Sequence, residues 1–570
     1  MASPSSFPSH SSPRQKPFVI CLLLVSLFIL LSVLSVKPKK APIFTRILEE
    51  DKRKSVWLHL VAKAINSSNT KIKIGLVNID DAVLHQQLAL YPLAETVSIR
   101  LDRVDDKKLK WEDFFPEWID EDRKRAPPRC PDIPMPESEN YRDLDVVVAR
   151  VPCGKNIGTE KQVSRDLFRL QINLAVANLA VESGRMEFDS HRTVYVVFIG
   201  SRGPMAEIFR CDDLLMHQGE YWVYKPQLEK LKQKTLMPVG SCQIASAYAE
   251  TGKEKWRSYM SQSTLEKLNY TTPIPKVAYV TVLHSSETYV CGAIALAQSI
   301  RQTNSTKDLL LLADNSIGPK SIKALKAAGW KIKRIQRILN PYAQKHAYNK
   351  WNYTKLRIWQ LTRYDKVVFI DADLIILKNI DHLFFYPQLS AAPNDNTLFN
   401  SGLMVIEPSM CMFEDLMVKA FKVKSYNGGD QGLLNEIFAW WHRMPSRLNY
   451  LKIFQRPEIV DQHENMPREL YGIHYLGLKP WMCYKDYDCN WDMKGRRIFA
   501  SDSAHARWWQ VYEGLPEELQ SHCGLTRNMD ARLRKWRRWA RHANLSDGHW
   551  RIQVQDPRRN HYVEENIIVN

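Results

Sequence analysis

Short apolar runs alternate with amphipathic stretches between residues 276 and 370, and this pattern constrains the fold more than any other feature. It predicts strands over 276–283, 308–313, 330–335 and 366–370, and helices over 288–303, 319–329 and 351–364. Such alternation predicts a parallel sheet with helices on both sides. Ligands of these sheets bind at the carboxyl ends of the strands, so we expect functional side chains there.

A second α/β pattern precedes the first. Strands are predicted over 71–79, 145–151 and 193–200, and a buried helix over 162–183. The intervening residues 125–140 are too rich in proline for a helix or a central strand, so they predict a loop or linker. We therefore expect an N-terminal α/β domain over 71–250 and a second α/β domain over 275–510.

Residues 18–36 form an uncharged run of 19 residues. Such a run is about long enough to cross a ~30 Å hydrocarbon core, whereas a cleaved signal peptide has an apolar centre of about 7–15 residues. We expect a signal anchor here, with 1–17 as a cytosolic tail and 37–70 as a stem. The rest of the chain is then lumenal, as in a single-pass type II membrane glycoprotein. N-x-S/T sequons compatible with a lumenal body occur at Asn66, Asn269, Asn304, Asn352 and Asn544.

The chain is basic, with 80 Lys and Arg against 62 Asp and Glu among its 570 residues. This balance favours an anionic partner: nucleic acid, a membrane surface, an acidic polysaccharide or a phosphorylated small molecule. The basic C-terminal tail, 511–570, includes a predicted helix that begins at Arg527. Ten cysteines without a CxxC pair indicate neither a zinc site nor a dense disulfide framework, although isolated bridges stay open.

The pattern D-x-D occurs four times, and one copy stands out. Asp371 and Asp373 directly follow the predicted strand 366–370 and precede another apolar run, whereas the other three pairs lie in polar surroundings. Buried unpaired carboxylates are costly, and two of them at a strand end offer hard oxygen ligands to Mg²⁺ or Mn²⁺. Helix capping or a buried basic partner is the structural alternative.

Five blocks in unbroken order resemble glycosyltransferase family 8, the group that contains glycogenin. They lie between residues 277 and 482 and include YTKLRIWQLTRYDKVVFIDADLIIL, FNSGLMVIEPS, NGGDQGLLN and IHYLGLKPW. The segments CPDIPMP and LMPVGSCQIA resemble the plant branch of xylan α-glucuronosyltransferases of the Golgi. The resemblance implies a GT-A type, Rossmann-like catalytic domain.

The resemblance also implies a metal-dependent donor site. Asp371, Asp373 and His474 match the family's metal ligands, usually for Mn²⁺, which also binds the phosphates of a UDP-sugar. Lys479 matches a lysine that contacts the diphosphate, where charge builds as UDP departs. The donor-binding positions implied are Asp371, Ala372, Asp373, Asn400, Ser401, Gly402, Asp430, Gln431, His474, Gly477 and Lys479.

Asp430, Gln431 and Lys355 match the positions nearest the reacting sugar and are the candidate catalytic residues. Asp430 is expected beside the anomeric carbon, acting either as a nucleophile or as a stabiliser of an oxocarbenium-like state. The sequence departs from glycogenin at Asn427, where glycogenin has an aspartate. The self-glucosylated region of glycogenin has no clear counterpart, so a separate acceptor is favoured.

The favoured function is the retaining transfer of α-glucuronosyl residues from UDP-glucuronate to xylan at the Golgi membrane, with no role for nucleic acid. The donor and acceptor rest on the resemblance, because no spacing in the sequence specifies glucuronate. Two alternatives stay open: a family 8 enzyme using UDP-galactose or UDP-glucose on another polysaccharide, and a non-catalytic, membrane-tethered glycan-binding scaffold. Homomeric or heteromeric assembly is also open.

Overall fold

The fold is described from a computed structural model. It describes residues 56–65, 71–80, 82–89, 91–116, 119–121, 130–152, 165–184, 192–245, 275–344, 347, 349–395, 398–454, 466–467 and 469–563. The predicted cytosolic tail, the apolar span 18–36 and most of the predicted stem lie outside these ranges. Within them, every helix is too short or too polar to cross a bilayer.

The first sheet has six strands in the order β2-β1-β3-β4-β6-β5. Strands β1 to β4 pair in parallel, whereas β6 runs antiparallel to both β4 and β5. The three strands predicted in this region are confirmed as β1, β3 and β4. The bounds are β1 Ile72–Val77, β2 Ala94–Ile99, β3 Val146–Arg150, β4 Tyr195–Ile199, β5 Leu214–Gln218 and β6 Tyr221–Tyr224.

Five helices are described in this part of the chain: α1 Val56–Ile65, α2 Ala82–Ala89, α3 Trp111–Phe114, α4 Leu167–Ser183 and α5 Leu228–Thr235. Helices α1 and α2 belong to one compact unit, and both large sheets belong to another. Helix α4 lies within the predicted helix. Its start is fixed by Asp166, whose carboxylate accepts a hydrogen bond from the Arg169 amide at 2.8 Å.

The second sheet has seven strands in the order β14-β12-β13-β10-β7-β8-β9. The four predicted strands are confirmed as β7 to β10, and they are parallel to one another. The predicted parallel arrangement is confirmed for these four strands, and β13 and β12 add antiparallel pairs beyond β10. The bounds are β7 Val277–Leu283, β8 Asp308–Ala313, β9 Lys331–Arg334, β10 Lys366–Ile370, β12 Ser390–Asp395, β13 Leu398–Ile406 and β14 His442–Arg443.

The antiparallel pairs follow from the way the chain connects β10, β12 and β13. Strand β13 returns along β10 after a connection that carries the short strand β11, Leu374–Ile376, and only two residues separate β12 from β13 in the sequence. All but the first of the nine residues of β13 are buried. The apolar run of β13 alone therefore does not distinguish a parallel from an antiparallel neighbour. The fold is therefore a mixed α/β architecture.

The predicted helix 351–364 is instead a 3₁₀ helix over Asn352–Gln360. Six of its nine residues are buried. Hydrogen bonds span three residues, as from the Thr354 amide to the Trp351 carbonyl at 2.9 Å. Because side chains are buried around most of the segment, packing outweighs the usual preference for α-helical geometry.

The remaining helices flank the second sheet or follow it in sequence. They are α6 Val290–Gln302, α7 Pro319–Ala327, α8 Met410–Ala420, α9 Asp430–Ile437, α10 Asp502–Glu513, α11 Glu517–Gln520 and α12 Arg527–His542. A third sheet has the order β11-β16-β15, with bounds Leu374–Ile376, Gly472–His474 and Tyr450–Leu451 respectively. Helix α12 confirms the predicted basic helix.

Four disulfides are present among the described residues, and three of them join distant parts of the chain. Cys211–Cys411 links the region of the first sheet to helix α8, and Cys291–Cys523 links helix α6 to the C-terminal segment. The other two are Cys130–Cys242 and Cys483–Cys489. One buried apolar cluster also includes residues of both large sheets, among them Val147 and Val280. Together these features bind the two sheets into one packed body.

Candidate active site

Asp371 and Asp373 lie at the carboxyl end of strand β10, as predicted. A turn follows the strand: the Leu374 amide donates to the Asp371 carbonyl at 3.1 Å, and the Asp371 amide donates to the Gly402 carbonyl of strand β13 at 2.8 Å. Ala372, between them, is buried. A Cβ atom at Gly292 would lie 2.2 Å from the Ala372 carbonyl oxygen, so helix α6 approaches this turn at a distance that only glycine permits.

His474 reaches the same turn through the third sheet. Strands β11 and β16 are antiparallel, with Leu374 paired to His474, and the Tyr475 amide donates to the Asp373 carbonyl at 2.9 Å. The Nε2 atom of His474 lies 3.3 Å from Oδ1 of Asp373. Ligand atoms of Asp371, Asp373 and His474 all lie within 4.8 Å of one another. The structure thus brings His474 to two aspartates that precede it by about a hundred positions in the sequence.

The donor set of these three residues fits a divalent cation. Two carboxylates and one imidazole are ligands that Mg²⁺, Mn²⁺ and similar ions accept. The position of the imidazole depends on Gly402, where a Cβ atom would lie 2.5 Å from Cε1 of His474. The group can therefore hold a metal ion.

Lys479 lies against the aspartate turn. Its Nζ atom donates to Oδ2 of Asp373 and to the Tyr475 carbonyl, both at 2.6 Å. The preceding Gly477 has φ +79°, and a Cβ atom there would meet Asn490 at 2.6 Å, so the turn that delivers Lys479 requires glycine.

Lys355 occupies the centre of a second charged group. Its Nζ atom lies 2.6 Å from Oδ2 of Asp430 and 3.2 Å from Oδ1 of Asp371. Asp430 begins helix α9 and also accepts a hydrogen bond from the Ser401 hydroxyl at 2.9 Å. All four of these residues were predicted site residues, and they form one hydrogen-bonded group.

The other predicted donor-site residues border this group. The Ser401 amide donates to Oε1 of Gln431 at 3.2 Å, and the Gly402 amide donates to Oδ1 of Asn400 at 2.9 Å. Nε2 of Gln431 lies 3.2 Å from the hydroxyl of Tyr426, a half-exposed side chain. The predicted residues thus line one continuous region at the ends of strands β10 and β13.

The charges in this region perturb one another. Burial alone would lower the pKa of the Lys355 ammonium, but Asp371 and Asp430 outweigh burial and raise it. Lys479 is affected in the same direction, since burial is outweighed mainly by Asp373. Burial raises the pKa of the Asp371 carboxyl, whereas at Asp373 burial is outweighed by Lys479 and His474, which lower the pKa. Both lysines are therefore cationic over the physiological pH range.

Several residues that support this site were not predicted from the sequence. Asn449 contacts both Asn400 and His474, Gly292 adjoins Ala372, and the Tyr289 ring lies 5.9 Å from Nζ of Lys479. Tyr289 lies at the start of helix α6, at the carboxyl end of strand β7. Its position after a predicted strand was the signal that could have identified it.

Comparison with known proteins accounts for both regions of the chain. The family described as "Glycosyl transferase family 8" matches residues 280–484, and the family described as "GUX1-5 N-terminal domain" matches residues 48–242. Human glycogenin-1 is 32% identical over 44% of this chain and 76% of its own length. The fold and the site thus define a chain of the family 8 glycosyltransferase class.

Two Arabidopsis thaliana proteins match far more of the chain. "Putative UDP-glucuronate:xylan alpha-glucuronosyltransferase 4" is 51% identical over 97% of this chain and 98% of its own length. "UDP-glucuronate:xylan alpha-glucuronosyltransferase 2" is 48% identical over 86% of this chain and 81% of its own. The chain belongs to the family of UDP-glucuronate:xylan alpha-glucuronosyltransferases.

Proposed function

We propose that this protein transfers glucuronosyl residues from UDP-glucuronate to xylan, with a divalent metal, most simply Mn²⁺, and with retention of the α configuration. One observation carries the proposal: Asp371, Asp373 and His474 converge within 4.8 Å in a chain 51% identical to a relative named for this activity. The choice of glucuronate and xylan rests on the relatives' names, and the GT-A type of the catalytic domain rests on the family.

Donor binding is assigned to the aspartate turn and the lysines beside it. Asp371, Asp373 and His474 would hold the metal, which supplies positive charge against the diphosphate of the donor. Lys479, 2.6 Å from Asp373, adds a fixed cation at the same end of the site. Negative charge builds on the β-phosphate as UDP leaves, so an ammonium placed there favours departure electrostatically.

The reacting sugar is assigned to the space bordered by Asp430, Gln431 and Lys355. The Lys355 ammonium and the Ser401 hydroxyl both contact Oδ2 of Asp430, which fixes this carboxylate in place. A fixed carboxylate beside the anomeric carbon stabilises positive charge on the sugar ring, and this is the role the proposal gives Asp430. Retention follows if the acceptor approaches the face that UDP leaves.

A Golgi location, with the catalytic part lumenal, belongs to the same proposal. The uncharged run 18–36 supplies the predicted anchor. The four disulfides suit an oxidising compartment of the secretory pathway, since such bonds are rare in the cytosol. A tagged full-length chain should therefore co-purify with Golgi membranes and resist added protease until detergent is present.

The decisive assay incubates the full-length chain in detergent with Mn²⁺, a xylo-oligosaccharide and one UDP-sugar at a time. UDP release and a mass increase of one glucuronosyl unit on the oligosaccharide are expected only with UDP-glucuronate. Turnover only with UDP-galactose or UDP-glucose would show that the donor is that sugar nucleotide and not UDP-glucuronate. Absence of turnover with every donor, in a chain that binds xylan, would favour the non-catalytic scaffold.

A further inference from the structure

Asn449 connects the proposed metal site to the donor-sugar region. It is buried, and it directly precedes strand β15. Its Nδ2 atom donates to Oδ1 of Asn400 at 2.9 Å, and its Oδ1 atom lies 3.1 Å from Nδ1 of His474. The nitrogen and the oxygen of the Asn449 side-chain amide therefore both form hydrogen bonds with residues of the site.

The backbone fixes the direction of these hydrogen bonds. The Gly402 amide can only donate, so the atom of Asn400 that it contacts at 2.9 Å must be the oxygen. That oxygen accepts a second bond, so Asn449 must present its NH₂ group to Asn400 and its oxygen to His474. An oxygen facing Nδ1 requires a hydrogen there, and the neutral imidazole then keeps its lone pair on Nε2, which faces Asp373.

A contact from the region of the first sheet holds the backbone before Asn449. The Glu121 carboxylate accepts hydrogen bonds from the Ser446 amide at 2.8 Å and from the Ser446 hydroxyl at 2.8 Å. Ser446 begins the 3₁₀ turn Ser446–Leu448, and the Asn449 amide donates back to the Ser446 carbonyl at 3.0 Å. Glu121 therefore fixes the turn that delivers Asn449.

We propose that Asn449 is a positioning residue that sets the tautomer and ring orientation of His474, and that Glu121 holds the turn carrying it. The inference rests on the proposed function only in taking His474 as a metal ligand. It gives the region of the first sheet a role in the site, because Glu121 lies between helix α3 and strand β3.

The test measures Mn²⁺ binding to the full-length chain in detergent, by the electron paramagnetic resonance signal of free Mn²⁺ and without any sugar. Asn449→Ala should weaken the affinity by about 10–100-fold, the usual cost of removing a group that orients a metal ligand. Asn449→Asp should recover part of the affinity lost in Asn449→Ala, because one carboxylate oxygen still accepts from Nδ1 while the other meets Oδ1 of Asn400 without a hydrogen between them. Unchanged affinity in Asn449→Ala, or equal loss in both variants, overturns the proposal.

Asn173→Ala is the matched control. Asn173 is a fully buried asparagine of helix α4 that donates to the Arg169 carbonyl and accepts from the Met205 amide. Its replacement should lower the unfolding temperature while leaving Mn²⁺ affinity unchanged. A loss of affinity equal to that of Asn449→Ala would mean that any buried defect disturbs the site, which would overturn the inference.

Glu121 is tested by Glu121→Ala and Glu121→Gln. The alanine variant should weaken Mn²⁺ binding by roughly threefold or more, whereas glutamine keeps an oxygen that accepts from Ser446 and should restore it. A lower unfolding temperature in Glu121→Ala with wild-type affinity would remove Glu121 from the proposal. If Mn²⁺ affinity depends on Asn449 as expected but the wild-type chain transfers no glucuronate, the proposed function is overturned and the role of Asn449 stands.

Discussion

Nζ of Lys355 lies 2.6 Å from Oδ2 of Asp430, although the two side chains come from a 3₁₀ helix and the first turn of helix α9. Both side chains are about one-tenth exposed. An ion pair in such surroundings is screened little by water, so removing Lys355 leaves the carboxylates of Asp430 and Asp371 without their shared cation. The ion pair therefore both fixes the position of the Asp430 carboxylate and places a positive charge beside it.

Lys355→Gln should lower kcat by about 10²–10³-fold, because the fixed cation beside Asp430 and Asp371 is lost where charge changes during the reaction. The measurement is UDP release at saturating UDP-glucuronate. Lys331→Gln is the control, since Lys331 is an exposed lysine that also pairs with an aspartate, Asp308. A kcat within twofold of wild type in Lys355→Gln would contradict the assignment.

Asp371→Ala combined with Asp373→Ala should abolish Mn²⁺-dependent turnover, because two of the three proposed metal ligands are removed. Turnover is followed across a Mn²⁺ titration, and excess metal should not restore it. Asp143→Asn, an exposed member of another D-x-D pair, should behave as wild type. Equal turnover in the double variant would exclude the metal site.

Gly402→Ala should displace the His474 ring, because the added Cβ atom would lie 2.5 Å from Cε1 of His474 and 2.8 Å from Oδ1 of Asn400. We expect at least about tenfold weaker Mn²⁺ binding. Gly219→Ala, in the open hairpin between β5 and β6, should cost about 1–2 kcal/mol of stability through its positive φ without affecting the metal. Equal Mn²⁺ affinity in Gly402→Ala and wild type would contradict this packing.

The stability of the C-terminal region should depend on pH through His549. Burial disfavours its charged form, but hydrogen bonds of 2.8 Å to Asp502 and Asp547 outweigh burial and raise its pKa to about 9. The unfolded value is about 6.5, so the stabilising contribution is complete below about pH 6.5 and is lost as pH rises through 9. The unfolding temperature of wild type should exceed that of His549→Gln at pH 6, and the difference should shrink by pH 9.5. A difference that grows with pH would reverse the assignment.

Replacing both Cys211 and Cys411 by serine should lower the free energy of unfolding by about 2–4 kcal/mol, because the bridge closes a long loop in the unfolded chain. Denaturant unfolding followed by tryptophan fluorescence measures the change. The matched control replaces Cys483 and Cys489, which are only six residues apart and should contribute less. A larger loss in the control pair would contradict this ranking.

The sequence was sufficient for the elements whose signal is local. Strands β7, β8 and β10 and the turn at Asp371 follow from short apolar runs that end in polar residues. The direction of β13 and the 3₁₀ helix around Lys355 did not follow, because both depend on which segments pack beside them. The grouping of His474 with the aspartates was implied by family resemblance, since without the matched block a packed histidine beside Tyr475 was the favoured interpretation.

Asn449 and Glu121 could not be predicted for a different reason. Each acts through hydrogen bonds to residues that are far away in sequence, and neither lies in a motif with a recognisable spacing. An asparagine before a two-residue strand and a glutamate in a polar stretch look like surface residues. Their burial and their partners emerge only from the three-dimensional arrangement of the first and second sheets.

The Cys291–Cys523 bridge has a practical consequence for anyone who shortens this protein. Cys291 adjoins Gly292, the residue that lets helix α6 approach the aspartate turn, and Arg558 donates to the carbonyls of Trp481, Cys483 and Cys523. A version ending at residue 510 would leave Cys291 without its disulfide partner, next to Gly292, and would remove the Arg558 guanidinium from the carbonyls of Trp481 and Cys483. Removing the last sixty residues would thus disturb the proposed catalytic centre through helix α6, which packs against the aspartate turn.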